Sequence, residues 1–133
     1  GKIAAEYILA LATMVASARE ATDSLVLAAG MPWKWIAEED GFSVEDLPTR
    51  HGLLDFTIRA KSETNIHLRI GGKLPIPPGG LSVAPPMPVG SRIIAVEGSQ
   101  NHGTEIDGDG QSISVTSLPC EMTLLIGRPN RLV

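Results

Sequence analysis

Two tryptophans separated by one residue, Trp33 and Trp35, are the strongest candidates for binding chemistry in the sequence. Indole rings stack on sugar rings, and alternate residues of an extended segment lie on one face. The pair therefore predicts a carbohydrate-binding surface if the segment is extended. If Pro32 instead opens a helical turn, the two rings diverge. One tryptophan would then anchor the connecting segment on the domain, and the other would lie at the boundary with a neighbour.

The three histidines do not predict a metal site. No HExxH or comparable spacing relates His51, His67 and His102. Alternation places His67 on the outer side of a strand, whereas His51 begins a strand and His102 lies in a loop. Cys120 is the only cysteine, which excludes an internal disulfide and a cysteine-based zinc site. We therefore expect no metal, no other cofactor, and folding that does not depend on a metal.

The carboxylates are explained by turns more readily than by catalysis. Asp107 and Asp109 open a D-x-D-G sequence like that of a calcium loop, but the twelfth loop position is Leu118. Residues 38–40 are contiguous acids before Gly41, which is typical of a solvated turn and not of a spaced glycosidase acid–base pair. No serine lies in a G-x-S-x-G frame, and no phosphate-binding glycine loop is present. The sequence thus predicts no catalytic residue.

Length and charge restrict the classes of partner. The 133 residues fit one domain, or one domain with a helical appendage. Eleven Lys and Arg against fifteen Asp and Glu give a formal charge of −4. Because no basic surplus exists to neutralise a phosphate backbone, we expect no nucleic-acid partner.

The N-terminal segment, residues 3–18, reads IAAEYILALATMVASA and predicts a long apolar helix. A secretory signal is the alternative, since Lys2 precedes the apolar run, but Glu6 interrupts that run. The run is too short to span a membrane, and we expect no membrane partner. The apolar positions cover much of the helix surface: Ile3, Tyr7, Ile8, Ala10, Leu11, Met14, Val15 and Ala18. The helix should therefore cover one sheet, pack against a domain outside this chain, or drive homo-oligomerisation.

The remaining chain has the two-residue period of strands. Residues 54–58 and 66–70 alternate apolar and polar and predict an antiparallel pair. Asp107-Gly108-Asp109-Gly110 predicts a hairpin between residues 104–106 and 113–115. We predict a mainly β chain, an antiparallel β-sandwich of about seven to eight short strands preceded by one long N-terminal α-helix. Residues 1–29 would hold the helix and a short strand, and residues 30–133 the connector and the sandwich.

The order of segments resembles the C-terminal end of bacterial glycoside-hydrolase-like proteins with an (α/α)6 toroid. Gly30-Met31-Pro32 with Trp35-Ile36 is similar to the "L-G-x-P-x-x-W-L" connector that follows the last toroid helix in those proteins. Pro48-Thr49 with Gly52 is similar to their "A-P-T-x-x-G" turn. Residues 77–81 and 94–98 resemble their later sandwich strands. Departures occur at Leu47, His51 and Glu97.

The resemblance implies a non-catalytic C-terminal accessory domain of a carbohydrate-active enzyme, which caps or buttresses an upstream catalytic toroid. The toroid of the same parent protein would be its partner, and carbohydrate a further one. Family members carry their catalytic carboxylates in the toroid, so none is assigned here, and this chain would be a fragment of that parent. Two alternatives stay open: a carbohydrate-binding module that uses Trp33 and Trp35, and a structural oligomerisation domain. We expect a soluble protein of the bacterial cytoplasm or periplasm.

Overall fold

The computed structural model describes residues 15–38, 40–100 and 103–127. These residues form ten strands and one short helix, more strands than the seven to eight predicted. The helix is α1 (Trp33–Ala37), and the strands are β1 (Ala16–Arg19), β2 (Ser24–Leu27), β3 (Phe42–Thr49), β4 (Gly52–Ser62), β5 (Asn65–Lys73), β6 (Leu81–Val83), β7 (Arg92–Gln100), β8 (Thr104–Ile106), β9 (Ile113–Val115) and β10 (Cys120–Gly127).

The strands form two five-stranded sheets. Sheet I has the order β1-β2-β6-β9-β8, and sheet II the order β3-β4-β5-β10-β7. The predicted pairings of β4 with β5 and of β8 with β9 are confirmed, and both are antiparallel. The β2–β6 pair is parallel, so the expectation of a wholly antiparallel sandwich is wrong at this point. The connection from β2 to β6 runs through β3, β4 and β5 of sheet II, and it supplies the long crossover that parallel neighbours need.

One hydrophobic core joins the two sheets. Alternate side chains of β4, β5 and β10 are buried, as the two-residue period predicts. Strands of sheet I contribute to the same cluster with Leu25, Leu81 and Val115. The intervening residues of sheet II, among them Thr57, His67 and Arg69, lie on its outer face. This alternation is what positions the polar side chains described below.

The predicted N-terminal helix does not continue through residue 18. Residues 1–14 lie outside the described residues, but Ala16–Arg19 is a strand paired with β2. Val15, named above among the apolar positions of the predicted helix, is fully buried in the sandwich core. The backbone N–H of Ala28 donates to the Val15 carbonyl at 2.7 Å. Pairing with β2 thus overrides the helix propensity of the alanines, which is only a weak preference.

Pro48 lies within β3, and the strand continues to Thr49. β3 is an edge strand of sheet II with one neighbouring strand. The N–H that proline lacks is therefore not needed for pairing with a second neighbour.

Gly79 is predicted to be intolerant of a side chain. Its N–H donates to the Asp23 carbonyl at 2.9 Å, and a Cβ at this position would overlap the Thr22 carbonyl oxygen. Gly79→Ala should therefore lower the free energy of unfolding by about 1–3 kcal/mol, measured by urea denaturation. Gly108→Ala is the matched control, since a Cβ there meets no atom within 4 Å, and should stay within about 0.5 kcal/mol. Equal effects of the two substitutions would contradict this account of the β1–β2 turn.

Candidate functional site

The two tryptophans lie on α1, a single helical turn, so the helical alternative for this segment is the one found and the extended one is not. Pro32 is the residue before the helix, with an extended backbone conformation. Residues two apart on a helix point about 200° apart around its axis, so the indoles do not share one face as they would on a strand. Both are half-buried and pack against the core.

The contacts of α1 anchor it to sheet II. Ile36 is fully buried, and the Trp35 ring stacks on Phe42 of β3 with centroids 5.7 Å apart and planes 20° apart. This is a favourable offset-stacking separation for an aromatic pair. Trp33 also contacts the core and keeps part of its surface exposed. A sugar-binding role for Trp33 and Trp35 stays a prediction, and the geometry gives Trp35 a structural contact as well.

The histidines are not brought together in the described part of the chain. There, no three His, Cys, Asp or Glu side chains converge as metal ligands would. His102 lies outside the described residues. His51 is largely buried at the β3–β4 turn, where its Nε2 lies 3.4 Å from Asp23 Oδ1 without hydrogen-bond geometry. The neighbouring Arg50 lies 3.5 Å from Glu20, so this turn meets the β1–β2 turn of sheet I through opposite charges.

Asp107 and Asp109 serve the β8–β9 hairpin. Asp107 accepts hydrogen bonds from the Ser112 and Ser114 hydroxyls, and Asp109 Oδ1 accepts the Gln111 N–H at 3.0 Å. These contacts are those of a carboxylate-stabilised turn. Of the acidic residues 38–40, Glu38 and Asp40 are exposed, and residue 39 lies outside the described residues.

A polar network that the sequence analysis did not find lies on the outer face of sheet II. His67 Nε2 lies 2.9 Å from Glu121 Oε2, and His67 Nδ1 lies 3.2 Å from Thr123 Oγ1. In a neutral imidazole the Nε2–H would donate to the carboxylate while Nδ1 accepts from the hydroxyl. The sequence could indicate this network only through the register of the two strands. His67 of β5 is opposite Thr123 of β10, and Arg69 of β5 is opposite Glu121 of β10.

The order carboxylate, imidazole, hydroxyl is also that of a hydrolytic triad. Here the hydroxyl belongs to Thr123 in the interior strand β10, whose neighbours on both sides are β5 and β7. Backbone N–H groups of an interior strand are directed along the sheet to its neighbours and not toward the face where the hydroxyl lies. The network therefore orients side chains on the face, and an exposed pair such as His67–Glu121 contributes about 0–1 kcal/mol to stability.

A cleft of about 420 Å³ lies on the outer face of sheet I. Small hydroxyl side chains dominate its polar lining: Ser24, Ser82, Ser112, Ser114 and Thr116. Val26 and Ile76 provide apolar surface between them. The hydroxyls of Ser112 and Ser114 donate to Asp107, so they are already engaged in the β8–β9 hairpin. The cleft surface is a mixture of such polar side chains and apolar ones.

Cys120 has a buried thiol whose pKa is raised. Burial raises its pKa to about 11 from an ordinary 9.0, an effect partly offset by a backbone hydrogen bond at Ile70. The unfolded chain therefore loses the thiol proton at lower pH than the folded chain. The stability that this difference contributes is complete below about pH 9 and is lost as the pH rises toward 11.

We expect the free energy of unfolding to fall between pH 9 and 11, and Cys120→Ala to flatten that part of the pH profile. Denaturant titrations at half-unit pH steps measure both profiles. The native thiol should also resist alkylation by iodoacetamide at pH 8, because the thiolate is the nucleophile. Rapid alkylation of the folded protein would contradict the burial of this side chain.

Comparison with family models, curated proteins and solved structures finds no match to the chain. The described residues therefore define a class of protein by their fold alone. It is a mainly β domain of two five-stranded sheets, with a tryptophan-bearing helical turn packed beside β3 and β4. None of the helices among those residues has the length and apolar character needed to cross a membrane.

Proposed function

We propose that the chain is a non-catalytic accessory domain of a carbohydrate-active enzyme, which buttresses an upstream (α/α)6 helical domain of the same protein. The observation that supports this most is the anchoring of α1. Its tryptophans contact the sandwich core with one part of their surface and leave another part exposed. A connector that is fixed on one side and partly apolar on the other suits the boundary between two domains.

The beginning of the sandwich supports the same arrangement. Val15 and Ala16 are buried, and β1 pairs with β2 directly from residue 16. The described part of the chain thus begins on a fixed strand, at the point where an upstream domain would be attached. A domain attached at this point would be held at a defined angle to the sandwich, as buttressing requires.

The catalytic part of the proposal is tested by turnover of an aryl glycoside panel. The chain alone should release no aglycone above the uncatalysed rate, whereas the product of the complete reading frame should hydrolyse at least one substrate. Turnover by the chain alone that disappears when Glu121 is changed to Gln would overturn the proposal, since it would place catalysis on sheet II. Asp107→Asn is the matched control, because its carboxylate lies in the β8–β9 hairpin of sheet I.

A carbohydrate-binding module is the second candidate, favoured by the partial exposure of both indoles. Titration with neutral oligosaccharides while following tryptophan fluorescence separates it from buttressing. Saturable quenching that is lost in both Trp33→Ala and Trp35→Ala would support the module. Homo-oligomerisation through the N-terminal helix would use residues that lie outside those described.

A further inference from the structure

A second groove, of about 230 Å³, lies on the outer face of sheet II where β3, β4 and β5 meet. Its floor is formed by Gly71 and Gly72, which have no side chains above the sheet. The polar and apolar side chains around that floor are those of Ser43, Glu45, Asp55, Thr57, Arg69 and Pro119. We call this the Gly71 groove.

The groove is open because Gly71 has no side chain, and the backbone conformation at position 71 does not require glycine. A Cβ at Gly71 would meet only the Pro119 Cβ, at 3.6 Å, which is an ordinary contact. Gly72 differs, since its φ of 97° is one that L-residues rarely adopt, and a Cβ there would lie 2.6 Å from the Leu53 carbonyl oxygen. The fold therefore requires glycine at position 72, while glycine at position 71 keeps the groove open.

Two planar groups with spare hydrogen-bonding capacity border this floor. Asp55 is opposite Gly71 on β4, and Arg69 precedes Gly71 by two residues on the same face of β5. Asp55 Oδ1 accepts the Asp46 N–H at 2.8 Å, which orients the carboxylate and leaves Oδ2 available. Within the described ranges, no carboxylate lies within 4 Å of the Arg69 guanidinium. A guanidinium can donate to two adjacent hydroxyls, and the available carboxylate oxygen can accept from a hydroxyl.

The remaining lining adds hydroxyls and one apolar surface. Ser43 Oγ lies 3.1 Å from Thr57 Oγ1, and each hydroxyl can both donate and accept. Pro119 provides an apolar wall beside Gly71. The formal charge of the lining is −1, from the two carboxylates of Glu45 and Asp55 against the guanidinium of Arg69. That balance disfavours an anionic ligand and favours a neutral one rich in hydroxyls.

We infer that the Gly71 groove binds one unit of a neutral oligosaccharide through hydrogen bonds, without aromatic stacking. The inference deepens the proposed function and rests on it for the class of ligand. The volume is below the 300–1,000 Å³ usual for pockets of drug-sized ligands, which suits a single sugar ring. The groove is built from β3, β4, β5 and the residue before β10, whereas the tryptophans lie on α1, so the two surfaces can be tested separately.

The test is a titration of the ¹⁵N-labelled chain with cellohexaose, maltohexaose and xylohexaose, with hexagalacturonate as the anionic comparator. At least one neutral hexasaccharide should shift the amide signals of Thr57, Arg69 and Gly71. Arg69→Gln should weaken that binding at least about tenfold, the effect expected from losing hydrogen bonds to a charged group. Gly71→Leu should abolish it by filling the groove. Arg59→Gln is the matched control, an exposed arginine on the same face that does not line the groove.

Four outcomes would overturn the inference. They are the absence of shifts with all neutral hexasaccharides, shifts confined to Trp33 and Trp35, tighter binding of hexagalacturonate, and unchanged binding in correctly folded Gly71→Leu. Circular dichroism establishes the fold of each variant, and unchanged binding in a folded Arg69→Gln would overturn the inference if Gly71→Leu fails to fold. None of these outcomes changes the aryl glycoside result, so failure of the groove and failure of the accessory-domain proposal remain distinguishable.

Discussion

Replacing Phe56 with alanine is expected to lower the free energy of unfolding by about 3–5 kcal/mol. Phe56 is 1% exposed and lies in β4, where it pairs with Val44 on one side and Ile70 on the other. The substitution removes a large buried ring from the core side of β4 and leaves a cavity that rigid neighbouring strands cannot close. Because small domains are stable by only about 5–15 kcal/mol, the variant should be near its unfolding limit.

Urea denaturation followed by far-ultraviolet circular dichroism measures this loss. Arg59→Ala is the control on the same strand, since Arg59 is exposed, and it should change stability by about 0.5 kcal/mol or less. A Phe56→Ala variant that loses less than about 1 kcal/mol would contradict the placement of one shared core between the two sheets.

Replacing Trp35 with alanine is expected to cost about 2–3 kcal/mol of stability, below the full cost for a buried aromatic because the side chain is half-buried. The loss combines apolar contact with the core and the stacking on Phe42, 5.7 Å between centroids. In a double-mutant cycle with Phe42→Ala, the stacking itself should appear as a coupling of about 0.5–1.5 kcal/mol.

Lys34→Ala is the matched control for Trp35→Ala, because Lys34 is an exposed neighbour on α1. It should leave stability within about 0.5 kcal/mol of the unmodified protein. The opposite pattern, unchanged stability in Trp35→Ala with loss of oligosaccharide binding, would make the tryptophans a binding surface and favour the carbohydrate-binding module.

The elements that could be predicted from the sequence are those with local signals. The period-two alternation of β4 and β5 and the turn residues between β8 and β9 predicted their antiparallel pairings. Pro32 predicted the possibility of a helical turn at Trp33–Ala37. In each case the residues that determine the structure belong to one helical turn or to two strands joined by a single turn.

The features that sequence reasoning missed depend on contacts distant in sequence. Residues 16–18 carry helix-favouring alanines, and only their pairing with β2 makes them a strand. The parallel β2–β6 contact joins segments separated by β3, β4 and β5. The polar network of His67 and the Gly71 groove arise from registers between strands, which alternation alone does not determine.

We propose that the sandwich buttresses an upstream helical domain through α1 and β1. Hydrogen–deuterium exchange compares the chain alone with the product of the complete reading frame that encodes it, and it reports local opening directly. We predict an upstream run of paired helices and exchange of the α1 and β1 amides at least about tenfold slower in the complete protein, with β8 and β9 unchanged. A reading frame without an upstream helical domain, or identical exchange at Trp33–Ala37 in the two proteins, would contradict the claim.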